Sequence, residues 1–436
     1  MSEKYIIQPS SNLSGNIVVP GDKSISHRSL ILLSISEGIG HINGLLESED
    51  CLATLDIFKL LDINIVKSSN SSYVVNGKGL YGLSKPNQDL NCGNSGTSMR
   101  LLTGLLSAQK FSCNLFGDNS LSERPMERIS LPLSLMSADI SLSENNTAPI
   151  KILPVKEITP IEYKMPIDSA QIKSSIILAS LYAKSETKIF ENISTRDHTE
   201  NMINYLGGNI DKKSNQITVH PNNKLIAKDI NVPGDISSAM FVIVGCIISK
   251  NSQVIIKNVG LNDLRTGGIE ILKLMGANIE LKNIKNYGLE KVGDIIVHSS
   301  KLKGITIPEK YIASAIDEFP ALFIASANAF GKTILNNASE LKFKESNRLL
   351  VMSEGLTLCG INNNLNDDGI VIQGGKISGS IIDSKGDHRV AMAFSIAGLV
   401  SSENITILNT KNVSTSFPDF HNLMKALGLN IRREIS

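Results

Sequence analysis

The chain has 436 residues, 42% of them apolar and 19% charged, with a formal net charge of +1. Hydrophobic cores stop growing near ~250–300 residues, so this length implies two or three domains or a repeat architecture. Near-neutral charge gives no reason to expect a nucleic acid or an anionic membrane as partner, and an aromatic content of 5% with no Trp disfavours a base-stacking platform.

The opening MSEKYIIQPS has neither the basic start nor the apolar run of a secretory signal. The longest apolar stretches, such as Phe241–Ile248, fall far short of the ~20 residues that a membrane helix needs. Five scattered cysteines, Cys51, Cys92, Cys113, Cys246 and Cys359, show no C-x-x-C spacing. Their pattern argues against a disulfide framework or a zinc site and fits a reducing cytoplasm.

In chain order, Val19-Pro20-Gly21-Asp22 turns the chain into a predicted helix over Ile25–Leu33. Lys23, Ser24 and Arg28 bring two cations and a hydroxyl to the start of that helix, which makes an anion site. The spacing is not that of a Walker A loop, because Asp22 separates Gly21 from Lys23. Taken alone, the segment reads equally well as a Ser-capped helix with solvated basic residues. Asn91–Arg100 is a Gly-rich turn into a predicted helix over Leu101–Leu106, and Gly96 lets backbone N–H groups approach a ligand. Arg124 and Arg128 stand beside two Glu; Ser169-Ala170-Gln171-Ile172-Lys173-Ser174 is a polar helix start; Arg196-Asp197-His198-Thr199 precedes another helix.

The tetrapeptide of residues 19–22 returns as Val232-Pro233-Gly234-Asp235, 213 residues later, again before a predicted helix (Ser237–Ile248). A strand over Ser252–Val259, a helix over Gly268–Met275 and a strand over Asn278–Leu281 follow. Ile316-Asp317-Glu318-Phe319-Pro320 sets two carboxylates beside an apolar segment. Lys342-Phe343-Lys344-Glu345-Ser346-Asn347-Arg348 clusters cations around Glu345. Asp387-His388-Arg389 opens a predicted helix over Val390–Leu399, and Asn404–Leu408 reads as a strand.

One junction recurs through this order: an apolar run, a small or turn residue, then Asn or Asp and a strand start. It begins at Leu60, Leu135, Tyr205, Leu274, Leu358 and Ala426, at intervals of 75, 70, 69, 84 and 68 residues. Six repeats of about 73 residues would account for the whole chain, three in each half. Arginine is the second clue: only ten of the 43 basic residues are Arg. Several of them stand at loop-to-helix junctions, where a rigid, always charged fork suits a phosphate or carboxylate. That distribution points to a cleft between two halves, lined for a multiply anionic ligand.

The motifs PGDKSISHR (20–28), GNSGTSMR (93–100), ERPM (123–126), SAQIKS (169–174), RDHTE (196–200), DE (317–318), KESNR (344–348), DHR (387–389) and SFPDF (416–420), in this order, resemble those of the 3-phosphoshikimate 1-carboxyvinyltransferases. The resemblance implies an α/β (α+β) fold. It has two domains forming an inverse α/β barrel, each of three βαβαββ repeats, with the active site between them. The domains would span 21–233 and 234–436, the latter joined by the N-terminal strand 1–20, with closure about hinges at 20–22 and 232–235. The implied reaction transfers the enolpyruvyl group of phosphoenolpyruvate to the 5-hydroxyl of 3-phosphoshikimate by addition and elimination. No metal and no organic cofactor would be needed, and the protein would be a cytoplasmic monomer without a nucleic-acid or membrane partner.

Carried over residue by residue, the resemblance implies that Lys23, Ser24, Arg28, Ser169, Gln171, Arg196, Asp317 and Lys344 contact 3-phosphoshikimate. Lys23, Gly96, Arg124, Gln171, Arg348 and Arg389 would contact phosphoenolpyruvate. Asp317 would act as the base, Glu345 would handle the methylene proton with its state tuned by Lys344, and Lys23 would join them in catalysis. Gly96 would leave room for glyphosate, an inhibitor of the family. Thr415 and Ser416 stand where some members carry Lys before Phe417-Pro418, so that contact is expected to be missing. Two rivals differ: a UDP-N-acetylglucosamine 1-carboxyvinyltransferase would place a reactive Cys shortly before Arg124, where 118–122 has none, and a non-catalytic repeat scaffold would leave the placement of Arg unexplained.

Overall fold

The computed structural model describes residues 3–10 and 12–435. Its organisation follows from the recurring junction. Helices Glu49–Leu60, Glu127–Leu135, His198–Tyr205, Gly267–Leu274, Arg348–Leu358 and Phe420–Leu427 each end there. The strands Asn64–Ser69, Asp139–Ser141, Ile210–Lys213, Asn278–Tyr287, Asn363–Leu365 and Asn430–Ile435 follow in the same order. The third residue of every junction has a positive φ: Asp62 68°, Ser137 66°, Gly207 96°, Gly276 98°, Gly360 77° and Gly428 116°. A left-handed residue just past a helix stops it and turns the chain back. Glycine does this at low steric cost in four junctions, and Asp62 and Ser137 adopt it as non-glycine residues.

Among the described residues the strands form six small sheets, five of four strands and one of three. In each sheet the strand that follows a junction lies at one edge. The first sheet shows the pattern: Ile230–Asn231 runs parallel to Glu37–Asn43, which pairs antiparallel with Ser72–Lys78, which pairs antiparallel with Asn64–Ser69. The N-terminal segment supplies two strands. Glu3–Gln8 lies inside a sheet, antiparallel to both Ile405–Leu408 and Asn430–Ile435, and Ser14–Ile17 runs parallel to Gln253–Gly260.

The chain divides into two compact units. One comprises Gly21–Val232 with Asn286–Glu290; the other comprises the residues up to Pro20, Pro233–Lys285 and Lys291–Ser436. Each has its own apolar core, one drawn from Ile25 to Val232 and the other from Tyr5 to Val19 and Ile236 to Ile431. Within the first unit the helices Gly96–Leu106 and Ala170–Ser180 lie side by side. A Cβ on Gly104 would stand 2.1 Å from the Ser175 carbonyl oxygen, so only glycine permits that approach. Within the other, Ile236–Ile248, Phe319–Ala327 and His388–Ala397 pack on one another. The repeated tetrapeptide has one local role in both units. Asp22 caps the helix Lys23–Ser34 by accepting from Ile25 N at 2.8 Å, and Asp235 caps Ile236–Ile248 by accepting from Ser237 N at 2.8 Å.

Several boundaries differ from expectation. The helix expected over Leu101–Leu106 starts at Gly96, because its polar first turn is capped by Ser95. The expected Val390–Leu399 helix runs over His388–Ala397, capped by Asp387. The strand expected over Asn278–Leu281 continues to Tyr287 and returns as Glu290–His298; its outer half is polar and exposed, so no apolar alternation marks it.

Candidate active site

In the first unit the helix starts carry the sequence-predicted residues. Lys23 is the first residue of Lys23–Ser34, and its Nζ lies 2.5 Å from Asp50 Oδ2. Arg28, one turn further on, is buried. It donates through Nε to Thr199 Oγ1 at 2.7 Å, through Nη2 to Ser174 Oγ at 2.8 Å and through Nη1 to the Ser24 carbonyl at 3.0 Å. Arg196 donates to Ser24 Oγ at 3.2 Å. Burial, followed by the repulsion of Arg196, brings the Arg28 pKa down to about 10, which leaves it a cation at neutral pH.

The helix Ala170–Ser180 begins after Ser169, whose hydroxyl makes no capping bond. Gln171 in its first turn donates to Thr97 Oγ1 at 3.0 Å and accepts from Arg100, so the first turns of this helix and of Gly96–Leu106 touch. Arg124 donates to Asn94 Oδ1 at 2.8 Å. Gly96 sits beneath two guanidinium groups: a Cβ there would lie 3.2 Å from Nη1 of both Arg100 and Arg124. His27 ties the helices together through Thr54 Oγ1 at 2.8 Å and Ser95 Oγ at 3.5 Å. Burial, then Lys23 and Arg28, hold its pKa well below the usual histidine range, so it bonds as a neutral imidazole. Four arginines and a lysine thus gather around three helix N-termini, whose dipoles also favour an anion.

The other unit gathers carboxylates and cations. Asp317 precedes the helix Phe319–Ala327; its Oδ1 lies 3.2 Å from Lys344 Nζ and 3.6 Å from Arg348 Nη1, and its carbonyl accepts from Arg389 Nη1 at 3.0 Å. Arg348 opens the helix Arg348–Leu358 and is fully buried. Its Nε lies 2.9 Å from Asp387 Oδ2 and its Nη2 2.5 Å from Glu345 Oε2. Burial alone would raise the Asp387 carboxyl, yet the Arg348 guanidinium beside it holds it below the usual carboxylate range. Burial would likewise weaken the Arg348 cation, but Asp387, Glu345 and Asp317 push its pKa above the usual arginine value. Asp387 also accepts from Arg389 N at 2.9 Å.

The structure brings Lys23, Ser24, Arg28, Gly96, Arg124, Gln171 and Arg196 onto one unit with Ser169, and Asp317, Lys344, Glu345, Arg348 and Arg389 onto the other. Lys344 pairs with Asp317, while Glu345 is paired with Arg348. Asp50, Arg100, Ser174, Thr199 and Asp387 join these networks without having been assigned a role from sequence. Arg100 was signalled by being one of few arginines, and Asp387 by its place just before a helix. Thr415 bonds its own turn, donating to the Asn412 carbonyl at 2.7 Å. All five cysteines are buried and free. Among the described residues no group of three or more His, Cys, Asp or Glu is placed to hold a metal ion, and no helix is long and apolar enough to cross a membrane.

Clustered guanidinium groups at helix starts, with two carboxylates held among cations, define a protein built to bind small polyanions and to move protons beside them. Residues 7–424 match the family of EPSP synthase (3-phosphoshikimate 1-carboxyvinyltransferase), and the chain belongs to that family. A Hydrogenovibrio crunogenus protein named 3-phosphoshikimate 1-carboxyvinyltransferase is 46% identical over 435 residues, 98% of either chain. One from Legionella pneumophila with the same name is 48% identical over 416 residues, 95% of this chain and 96% of its own. The solved structure of EPSP synthase from Acinetobacter baumannii matches all of both chains with a TM-score of 0.90 at 46% identity.

Proposed function

We propose that the chain transfers the enolpyruvyl group of phosphoenolpyruvate to the 5-hydroxyl of 3-phosphoshikimate, releasing phosphate. The observation that carries this reading is Asp317 held by Lys344 and Arg348, with Glu345 on the same Arg348. Two carboxylates on one guanidinium, with Asp317 also facing Lys344, suit two different protons. In the addition step the acceptor hydroxyl oxygen bonds to C2 of phosphoenolpyruvate. Asp317 takes the hydroxyl proton, and Glu345 gives a proton to the C3 methylene. In the elimination step Glu345 removes a proton from the resulting methyl, the C2–O bond to phosphate breaks, and the phosphate leaves with the proton held by Asp317.

In this reading Lys23, Ser24, Arg28, Ser169, Gln171, Arg196, Asp317 and Lys344 hold 3-phosphoshikimate. Lys23, Gly96, Arg124, Gln171, Arg348 and Arg389 hold phosphoenolpyruvate. Each domain is built of three βαβαββ repeats in the inverse α/β barrel pattern, and the protein works as a cytoplasmic monomer without a cofactor. Phosphate release from phosphoenolpyruvate should require 3-phosphoshikimate and fail with UDP-N-acetylglucosamine. Asp317→Asn and Glu345→Gln should each lower kcat by roughly a hundred-fold or more, the scale of a lost general acid or base. Parent-like turnover in both variants would overturn the roles given to them.

A further inference from the structure

Next to Asp317 stands a second carboxylate that this mechanism does not use. Glu318 is 1% exposed. It occupies the cap position of the helix Phe319–Ala327 yet makes no capping bond with its side chain, so helix termination does not explain it. Instead it reaches away from the helix and accepts from the Ser237 hydroxyl, at the start of Ile236–Ile248. Arg265 Nη2 donates to the same Ser237 oxygen at 2.7 Å and lies 3.6 Å from Asp235 Oδ1 and 3.7 Å from Glu318 Oε1. Gly268 makes room for it: a Cβ there would lie 3.3 Å from the Glu318 Cβ. Burying a carboxylate is costly even when paired, and an apolar side chain of similar size would fill the space at lower cost.

We propose that Glu318 is a positioning residue for the reaction: it fixes the peptide that presents Asp317, and its negative charge makes Asp317 a better base. The proposal rests on the reading of Asp317 as the base. The peptide of Asp317 and Glu318 is gripped from two sides, by Arg389 on the Asp317 carbonyl and by Ser237 on the Glu318 side chain. The charged groups around Glu318 are Arg265, Asp317 and Arg389, with Asp235 on Arg265. Those around Asp317 are Lys344, Arg348 and Arg389, with Glu345 and Asp387 on Arg348. Three cations facing Asp317 stabilise its anion and weaken it as a base; an adjoining anion opposes them. The coupling is visible from the other side: burial chiefly raises the proton affinity of Glu318, Arg265 lowers it and Asp317 raises it further.

The test is the pH profile of kcat for phosphate release at saturating phosphoenolpyruvate and 3-phosphoshikimate. Glu318→Gln keeps the shape and the bond from Ser237 but removes the charge. Its acidic limb should move to lower pH by about half a unit to one unit, the scale of one neighbouring charge, with both KM values within about two-fold of the parent. A superimposable acidic limb would overturn the electrostatic role. Ser237→Ala deletes one oxygen and leaves the charge. It should lower kcat about three-fold or more, the scale of one lost positioning bond, and a parent-like kcat would overturn the positioning role. Asp317→Asn separates the two levels: activity surviving in it defeats the base assignment, whereas an inactive Asp317→Asn with an unmoved Glu318→Gln profile defeats only the role of Glu318.

Discussion

A methyl group added at Gly96 would stand 3.2 Å from the terminal nitrogens of Arg100 and Arg124. Both are ends of flexible side chains, so the protein can give way by a few tenths of an ångström, and folding should survive Gly96→Ala. What the methyl takes is space beneath two guanidinium groups, where an anion would lie against a helix N-terminus. The inhibition constant for glyphosate, the longer molecule, should therefore rise by more than the KM for phosphoenolpyruvate does. Phosphate-release kinetics with and without glyphosate check this, and an unchanged inhibition constant would refute it. At this scale the sequence carried much of the site. Gly96, Arg124, Asp317, Glu345, Arg348 and Arg389 were named from their motifs, and each sits in one of the two charge networks. What no motif could give is partnership across distant segments. That Arg28 bonds Ser174 and Thr199, or that Arg348 rests on Asp387, depends on which helices lie side by side.

At the scale of single elements the left-handed residue of each junction carries a definite cost. Gly276 has φ +98°, and the nearest atom to a Cβ there is the Lys301 carbonyl oxygen at 3.5 Å, so space is adequate and only the backbone conformation resists a side chain. Gly276→Ala should destabilise its unit by about 1 kcal/mol, and Gly276→Asn by clearly less, since Asn tolerates the left-handed region better. Urea midpoints followed by circular dichroism check the order of the two. The reverse order would show that packing rather than φ governs the site. The junctions were legible because a helix stop needs a small set of residues at a fixed place, and four of six use glycine. The start of Gly96–Leu106 was not, because a polar first turn looks like loop until its cap is seen. The outer half of Asn278–Tyr287 was not either: it is mostly exposed, and its backbone pairing rather than apolar alternation makes it a strand.

For the whole molecule, the two units differ in how the chain builds them. One takes a continuous run, Gly21–Val232, and adds only Asn286–Glu290; its core lies wholly between Ile25 and Val232. The other needs the N-terminal segment as well. Glu3–Gln8 fills an interior place in its sheet, bonded on one side to Ile405–Leu408 and on the other to Asn430–Ile435. Without it those two strands lose their common partner, and Tyr5 and Ile7 leave the core. An orphaned pair of strands with unmet backbone groups is both unstable and sticky. A fragment of residues 21–232 should therefore fold alone with a cooperative urea transition, whereas 233–436 should not. Joining 1–20 to the C-terminus of the latter through a flexible linker should restore its cooperative transition, because strand pairing depends on where Glu3–Gln8 lies and not on which end of the chain delivers it. Cooperative unfolding of 233–436 without that segment would show that Glu3–Gln8 is dispensable to its sheet.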